Sequence, residues 1–313
     1  MKTWKKFFVK DLFPKLTKDK FYKIDLSVGS AWIGGRNEIE NLDIFQFKIE
    51  KLQKDQHEKI IAGGYLEPRS IYTSDTYEKI GNYGTENRTI HLGLDFWLPP
   101  GTEISAMFDG EVVTAVNDQG HKEYGGLVIL KHRIEDIEFY TLYGHNTVES
   151  VLKNKIGSRV KKGEIIAEIA NYPENGNWAP HLHFQIMLSM LDHKIDFPGV
   201  CYFNQIDVWK DLCPDPNLLF KSKDLDLDQS SSLQELIEHR KNHLGKSLKL
   251  HYEEPLHIIR GEGVYLMDSN GRKYLDTVNN VAHVGHENES VVEKGKSQMS
   301  ILNTNSRYLH KNI

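Results

Sequence analysis

Residues 126–145 read GLVILKHRIEDIEFYTLYGH and contain two short runs rich in β-branched and aromatic residues. Runs of this kind favour β-strands. Similar runs lie on both sides, separated by glycine and proline residues typical of turns: EISAMF (103–108), EVVTAV (111–116), EIIAEIA (164–170) and LHFQIML (182–188). The pattern predicts a mainly β fold, an antiparallel β sandwich or open barrel of the barrel-sandwich-hybrid kind, with small helical or irregular flanking segments.

The flanking segments differ in texture from this region. The N-terminal part has aromatic and apolar clusters broken by Lys and Asp, with one plausible helix over 44–59. A polar stretch further on reads as a linker, after which Ser231 or Ser232 would cap a second helix. The predicted segments are an N-terminal extension of unclear role (1–70), the β domain (71–220), a linker and helix (221–247), and the start of another domain (248–313).

Composition excludes several classes of protein. The chain has 313 residues, 39% of them hydrophobic and 27% charged, with a formal net charge of −5. Without an overall basic excess, a nucleic-acid partner is not expected. No apolar run approaches the ~18 residues needed to span a bilayer, and the run at 7–9 is too short for a signal peptide. Two cysteines are too few for a disulfide framework. A cytoplasmic protein without membrane contact is therefore expected.

Metal-competent side chains occur at spacings typical of one strand face. His91 and Asp95 are four residues apart, and His181 and His183 are two apart. Side chains at even spacing on a strand point to the same side, so the pairs could converge from neighbouring strands. A catalytic zinc site takes three protein ligands and leaves its fourth position open. Two histidines and one aspartate fill these three positions, so one of the three histidines is not needed as a ligand. His145 is a second histidine that the ligand count does not require. Ordinary surface or core roles are predicted for the remaining strand and helix histidines, His121, His132, His193, His239 and His243.

Three segments resemble, in order, the signatures of the lysostaphin-type zinc metalloendopeptidases. They are HLGLD (91–95), YGH (143–145) and HLHF (181–184). The resemblance covers roughly residues 71–190. It implies that the zinc ligands are His91, Asp95 and His183, whereas the catalytic histidines His145 and His181 flank a bound water and shuttle its proton, changing protonation near neutrality.

The resemblance also implies a substrate class. Peptides with glycine- or D-alanine-containing cross-links, as in bacterial peptidoglycan, are the expected substrates. A cytoplasmic enzyme would not meet the mature cell wall, so a small amide or dipeptide-like metabolite is the alternative. The VKKGEIIA stretch (160–167) also resembles the hairpins of biotinyl and lipoyl carriers, but the Met-Lys-Met and Asp-Lys-Ala contexts of those carriers do not occur.

The last segment resembles the opening of a class III pyridoxal-phosphate aminotransferase, closest to the ethanolamine-phosphate phospho-lyase branch. The similar stretches are PLHIIRGEG (255–263), DSNGRKYLD (268–276), VNNVAHVGH (278–286) and LNTNSRYLH (302–310). That family usually follows Gly-His with another residue and then His-Pro. After Gly285-His286 this chain instead reads ENE at 287–289.

The segment stops before that family's Schiff-base lysine. The resemblance therefore implies that pyridoxal phosphate would be bound only in a full-length parent protein, and aminotransferase activity is not expected of this chain. A composite protein is predicted, in which the metallopeptidase domain precedes an aminotransferase domain. As an alternative function, the β domain would be a non-catalytic or metabolite-amide-processing accessory domain of that enzyme. An incomplete domain exposes apolar surface, so self-association through it is a further expectation.

Overall fold

The computed structural model describes residues 6–72, 77–81, 84–227, 232–250, 252–277 and 283–302. The helices are α1 (Arg36–Glu40), α2 (Leu42–Asp55), α3 (Val148–Leu152), α4 (Ile206–Leu212), α5 (Asn217–Phe220), α6 (Leu233–His243) and α7 (Glu289–Ile301). The strands are β1 (Phe21–Lys23), β2 (Ile60–Gly63), β3 (Glu78–Gly81), β4 (Gly84–Asn87), β5 (Ile90–His91), β6 (Leu94–Trp97), β7 (Glu103–Ser105), β8 (Gly110–Asp118), β9 (Gly125–Ile134), β10 (Ile137–Asn146), β11 (Arg159–Val160), β12 (Ile165–Glu168), β13 (Leu182–Met187), β14 (Val200–Cys201), β15 (Ile258–Glu262), β16 (Tyr265–Asp268) and β17 (Lys273–Leu275).

An eight-stranded sheet with the order β1-β2-β6-β13-β10-β9-β8-β11 forms the centre of the fold. The β1–β2 pair is parallel, and the other pairs in this sheet are antiparallel. The predicted runs appear as β7, β8, β9, β10, β12 and β13, so the predicted mainly β fold is confirmed.

Strand β9 shows why these runs are continuously apolar. Its side chains alternate between two hydrophobic clusters: Val128 and Leu130 belong to one, and Leu127 and Ile129 belong to the other. Because successive side chains of a strand point to opposite faces, both faces of the sheet are covered here. A strand buried on both faces has no need of polar alternation.

The N-terminal segment contributes strands that the sequence did not predict. Strands β1 and β2 extend the central sheet through the pairing of β2 with β6. Phe96 of β6 packs at the junction, with ring contacts to Phe13, Phe21 and Phe220 at centroid distances of 5.4, 6.0 and 5.6 Å. The segment is thus part of the central core. Strand β1 escaped prediction because three residues are too few to show a period of two.

The C-terminal region packs against the N-terminal segment. Ser232 caps α6, and Glu235 completes a capping box, as the serine pattern predicted. The sheet of β15, β16 and β17 is anchored by Arg260, which donates hydrogen bonds to three backbone carbonyl groups, those of Val28, Ser30 and Gly34. The aminotransferase-like residues 278–282 and 303–310 lie outside the described residues. Within the described ranges, no helix has both the length and the apolar character required to cross a membrane.

Replacing Phe96 tests whether the N-terminal segment shares the central core. Phe96 is fully buried, whereas Phe47 of α2 is 65% exposed. We expect Phe96→Ala to lower the free energy of unfolding by about 3–5 kcal/mol, because a buried ring is lost and a cavity remains. The control Phe47→Ala should change it by about 0.5 kcal/mol or less. Urea unfolding measures both, and equal, small losses would contradict the packing described.

Burial of His132 predicts a pH-dependent stability. Its Nδ1 donates to the Asp109 carbonyl at 2.9 Å, and burial lowers its pKa from 6.5 to about 4. The unfolded chain therefore binds the proton more readily, and the free energy of unfolding should fall as the pH drops from 6.5 toward 4. Urea unfolding of His132→Gln across this window should show a shallower fall than the unsubstituted protein. Parallel curves would exclude this contribution.

Candidate metal centre

Three metal-competent side chains meet beside the central sheet. His91 lies on β5, Asp95 on β6 and His183 on β13, and each is at most 3% exposed. The register pairs Asp95 with His183 across two antiparallel strands. The i, i+4 prediction of one continuous strand is wrong, since the chain leaves β5 at Leu92 and enters β6 only at Leu94. Strand β5 belongs to a different sheet from β6, yet the side chains of His91 and Asp95 converge.

Glycine is required at the break between β5 and β6. A Cβ on Gly93 would lie 2.5 Å from Cε1 of His183 and 2.9 Å from the Phe184 carbonyl oxygen. The missing side chain lets the His183 ring approach the backbone that joins the other two candidate ligands. The central glycine of HLGLD therefore has a packing role in the site.

The three facing atoms form a compact triangle. His91 Nε2 lies 2.9 Å from His183 Nδ1 and 3.2 Å from Asp95 Oδ1, and the third side, from His183 Nδ1 to Asp95 Oδ1, is 3.1 Å. Zinc–ligand distances of about 2.0–2.2 Å in a tetrahedron separate the ligands by about 3.3–3.6 Å. The observed triangle is slightly smaller than this. A small outward movement of the three atoms would give the spacing of a zinc site.

Hydrogen bonds at the outer nitrogens fix the tautomers of both histidines. His91 Nδ1 lies 2.9 Å from the Gly64 carbonyl oxygen, and His183 Nε2 lies 2.9 Å from Gln185 Oε1. The Gln185 amide nitrogen donates to the Pro198 carbonyl, which turns the amide oxygen toward His183. Both acceptors lack a proton, so each histidine carries its proton on the outer nitrogen. Three lone pairs therefore converge, and a divalent cation fits this donor set.

Burial sets the charge state of the candidate ligands. Burial, followed by the nearby Arg69 guanidinium, lowers the pKa of His91 to about 3. Burial alone would raise the pKa of Asp95, but His91 and Arg69 outweigh it and hold that pKa well below its usual range. At neutral pH His91 is thus a neutral imidazole and Asp95 an ionised carboxylate, which are the metal-binding forms of these groups.

A second histidine pair lies next to the triangle. His181 Nε2 is 3.8 Å from Asp95 Oδ1, and the rings of His145 and His181 are 4.4 Å apart. Their Nδ1 atoms donate to the carbonyl oxygens of Asn175 (2.9 Å) and Ala179 (2.7 Å), so each keeps an unprotonated Nε2. Burial lowers the pKa of His181 to about 4 and that of His145 well below its usual range. The sequence predicted that both histidines change protonation near neutrality, whereas burial in this site lowers the pKa of each below that range.

The backbone of His145 is unusual. Its φ angle is +69°, and the register between β10 and β9 shifts between Tyr143 and Asn146. A bulge at a strand end redirects side chains, and positive φ values at non-glycine residues are frequent at functional sites. The bulge places the His145 ring against Tyr124 and Trp178, with centroid distances of 5.6 and 6.0 Å.

Several residues that support the site were missed from the sequence. Arg69 donates to Asp95 Oδ2 at 2.6 Å, and Trp97 stacks on the His181 ring at 5.5 Å. Trp97 lies two residues beyond Asp95 on β6, so strand periodicity could have placed both on one face. Arg69 lies outside every motif, and only the tertiary structure brings it to the site.

The site opens into a cavity of about 320 Å³. Its walls combine aromatic rings with charged side chains, among them Tyr72, Trp97, Trp178, Lys122 and Asp196. His193, predicted to be an ordinary surface or core residue, also lines this cavity. A concave, aromatic-rich space beside convergent polar groups is the usual form of a ligand-binding site.

One group of known proteins that are similar to this chain consists of peptidases. Residues 89–196 match the model of Peptidase family M23. The chain is 34% identical over 124 residues to the glycyl-glycine endopeptidase ALE-1 of Staphylococcus capitis, which covers 38% of this chain and 32% of that protein. The catalytic domain of lysostaphin from Staphylococcus simulans is a solved structure similar to this chain, with 26% identity, a TM-score of 0.27, and coverage of 39% of this chain and 80% of that one.

A different group of relatives is also matched. The chain is 43% identical over 97 residues to an alanine–glyoxylate aminotransferase 2-like protein of Drosophila melanogaster, which covers 30% of this chain and 20% of that protein. The chain thus spans a third or less of the length of these curated relatives. The three motifs and the family match agree: residues 89–196 are similar to the lysostaphin-like peptidases of family M23.

Proposed function

We propose that this protein is a zinc-dependent metalloendopeptidase or amidase that hydrolyses a peptide bond. The observation that carries the proposal is the buried triangle of unprotonated atoms, His91 Nε2, Asp95 Oδ1 and His183 Nδ1. The match of residues 89–196 to a peptidase family supports hydrolysis as the reaction type.

His91, Asp95 and His183 would hold the zinc ion. Two neutral imidazoles and one carboxylate make up the three-ligand set typical of catalytic zinc, which keeps a further position open. When bound, zinc supplies a Lewis acid that polarises a peptide carbonyl and brings the pKa of water down to about 7. The Gly64 carbonyl and Gln185 orient the two imidazoles from the outer side.

His145 and His181 would move the proton. Each presents an unprotonated Nε2, since its Nδ1 donates to a backbone carbonyl. Either Nε2 can accept a proton from the attacking water and return it to the leaving amine nitrogen. The proton added to an imidazole can also stabilise the oxyanion that develops on the substrate. Trp97 restricts the His181 ring by stacking on it, so this ring is held in position before the substrate binds.

The substrate is proposed to be a short peptide with glycine or another small residue at the scissile bond, of the kind found in peptidoglycan cross-links. A cavity of about 320 Å³ with aromatic walls suits a narrow peptide. The name of the related glycyl-glycine endopeptidase supports glycine on both sides of the bond. A small amide metabolite is the competing substrate class.

A second proposal concerns residues 248–313, which we assign to the beginning of an aminotransferase-like region in a composite protein. The 43% identity to the Drosophila aminotransferase-like protein favours it. In such a protein the peptidase-like domain would precede the pyridoxal-phosphate domain along the chain. A small amide or amine metabolite would then be the natural link between the two activities.

Substitutions of four of the five site residues should separate ligands from proton-transfer groups. We expect Asp95→Ala and His183→Ala to lose the zinc, because each removes one of three ligands. His145→Ala and His181→Ala should keep one zinc per chain but lower kcat by about 10²–10⁴-fold. Zinc content and peptide hydrolysis are measured on the same preparations. The control His239→Ala, on an exposed helix, should change neither. Equal loss of zinc from all four site variants would contradict this division.

A peptide panel tests the substrate class. The zinc-loaded protein should cleave pentaglycine faster than a matched peptide with leucine at the central positions, because leucine side chains would take up more of the cavity of about 320 Å³. A chelator should abolish the cleavage, and added zinc should restore it. Mass spectrometry of the products identifies the bond. Cleavage of small amide metabolites, with glycine peptides and peptidoglycan fragments left intact, would overturn the peptide assignment.

A further inference from the structure

Arg69 is a buried cation in direct contact with a candidate metal ligand. Its side chain is 3% exposed and forms two ion pairs, from Nη1 to Asp95 Oδ2 at 2.6 Å and from Nε to Glu67 Oε2 at 2.7 Å. Burying such charges costs several kcal/mol per ion, so they are weak as a means of stabilising a fold. Their place beside the metal triangle indicates another use.

We propose that Arg69 is a positioning residue that makes Asp95 a ligand through one oxygen only. This inference rests on the metal site of the proposed function. Asp95 Oδ1 faces the two imidazole nitrogens at 3.1 and 3.2 Å, whereas Oδ2 is held by the Arg69 guanidinium. A carboxylate free to offer both oxygens would occupy the position that a catalytic site leaves open.

Glu67 holds the guanidinium in place. Its Oε2 accepts from Arg69 Nε, and its Oε1 accepts from the backbone N–H of Leu26 at 3.0 Å. The chain of contacts runs from the Leu26 backbone through Glu67 and Arg69 to Asp95. A segment far from the metal-binding motifs along the sequence thereby controls the orientation of a ligand.

Gly64 ties the same segment to a second ligand. Its carbonyl accepts from His91 Nδ1, and a Cβ at this position would lie 1.9 Å from Arg69 Nη2 and 2.9 Å from His91 Nδ1. Glycine thus lets the Arg69 guanidinium and the His91 ring pack against one backbone position. Residues 64–69 support two of the three ligands, although they lie outside the segment 89–196 that matches the peptidase family.

Lysine could not replace arginine here. The planar guanidinium presents Nε and Nη1 to two different carboxylates, whereas an ammonium is a point charge without this fixed geometry. Arg69→Lys keeps the buried positive charge but gives up one of the two contacts. This variant therefore separates the effect of Arg69 on the orientation of the Asp95 carboxylate from the effect of its positive charge.

The decisive experiment replaces zinc with cobalt(II), whose visible bands weaken as its coordination number rises above four. In the full chain, cobalt-loaded Arg69→Lys should show weaker bands than the unsubstituted protein, because Asp95 gains freedom to bind through both oxygens. Zinc affinity, measured by competition with a chromophoric chelator, should fall about 10–100-fold. Glu67→Gln should weaken the cobalt bands and lower the zinc affinity by a smaller amount. This variant tests the proposal if Arg69→Lys does not fold.

A matched control and a readout that does not depend on activity distinguish failure of the positioning role from failure of the proposed function. Lys48→Met removes another cation from the N-terminal segment, one paired with Glu38 at 2.7 Å and not lining the cavity. It should change the thermal stability of the metal-free protein without altering the cobalt spectrum. An unchanged spectrum in Arg69→Lys would overturn the positioning role, whatever its stability. If the protein binds cobalt as described but cleaves no peptide, the proposed function fails while this inference stands.

Discussion

Lone-pair repulsion inside a buried site is the constraint on which this structure depends. Two imidazole nitrogens and a carboxylate oxygen lie about 3 Å apart with no proton among them, because carbonyl and amide oxygens hold the imidazole protons on the outer side. Such an arrangement is unfavourable unless a cation neutralises it. The electrostatics of the site therefore favour a bound metal, and the packing of the surrounding fold brings the three atoms together.

The architecture meets this constraint by using four chain segments. Strand β5 carries His91. Strand β13 brings His183 and Gln185 on one face, and β6 lies beside it with Asp95 and Trp97. Residues 64–69 close the site from the other side through Gly64 and Arg69. Each segment is held by packing against a hydrophobic cluster. Rigid strands thus position the ligands, as precise sites generally require.

Sequence reasoning succeeded where a local pattern determines the geometry. His181 and His183 are two residues apart at the start of the regular strand β13, so their side chains share a face. The apolar runs form strands because both faces of the sheet are buried. It failed at the His91–Asp95 segment, where Gly93 interrupts the strand to accommodate the His183 ring. It could not place Arg69, because the ion pair with Asp95 joins residues whose relation exists only in three dimensions. The low pKa values of His91, His145 and His181 likewise follow from burial, which no local motif encodes.

Anomalous diffraction at the zinc absorption edge, from crystals of the zinc-loaded protein, tests the central claim most directly. The account predicts one strong peak about 2.0–2.2 Å from His91 Nε2, Asp95 Oδ1 and His183 Nδ1. The same map should leave Asp95 Oδ2 on Arg69 and the Nε2 atoms of His145 and His181 unligated. A zinc ion bound elsewhere, or a site that stays empty at saturating zinc, would contradict the assignment of this triangle as the metal centre.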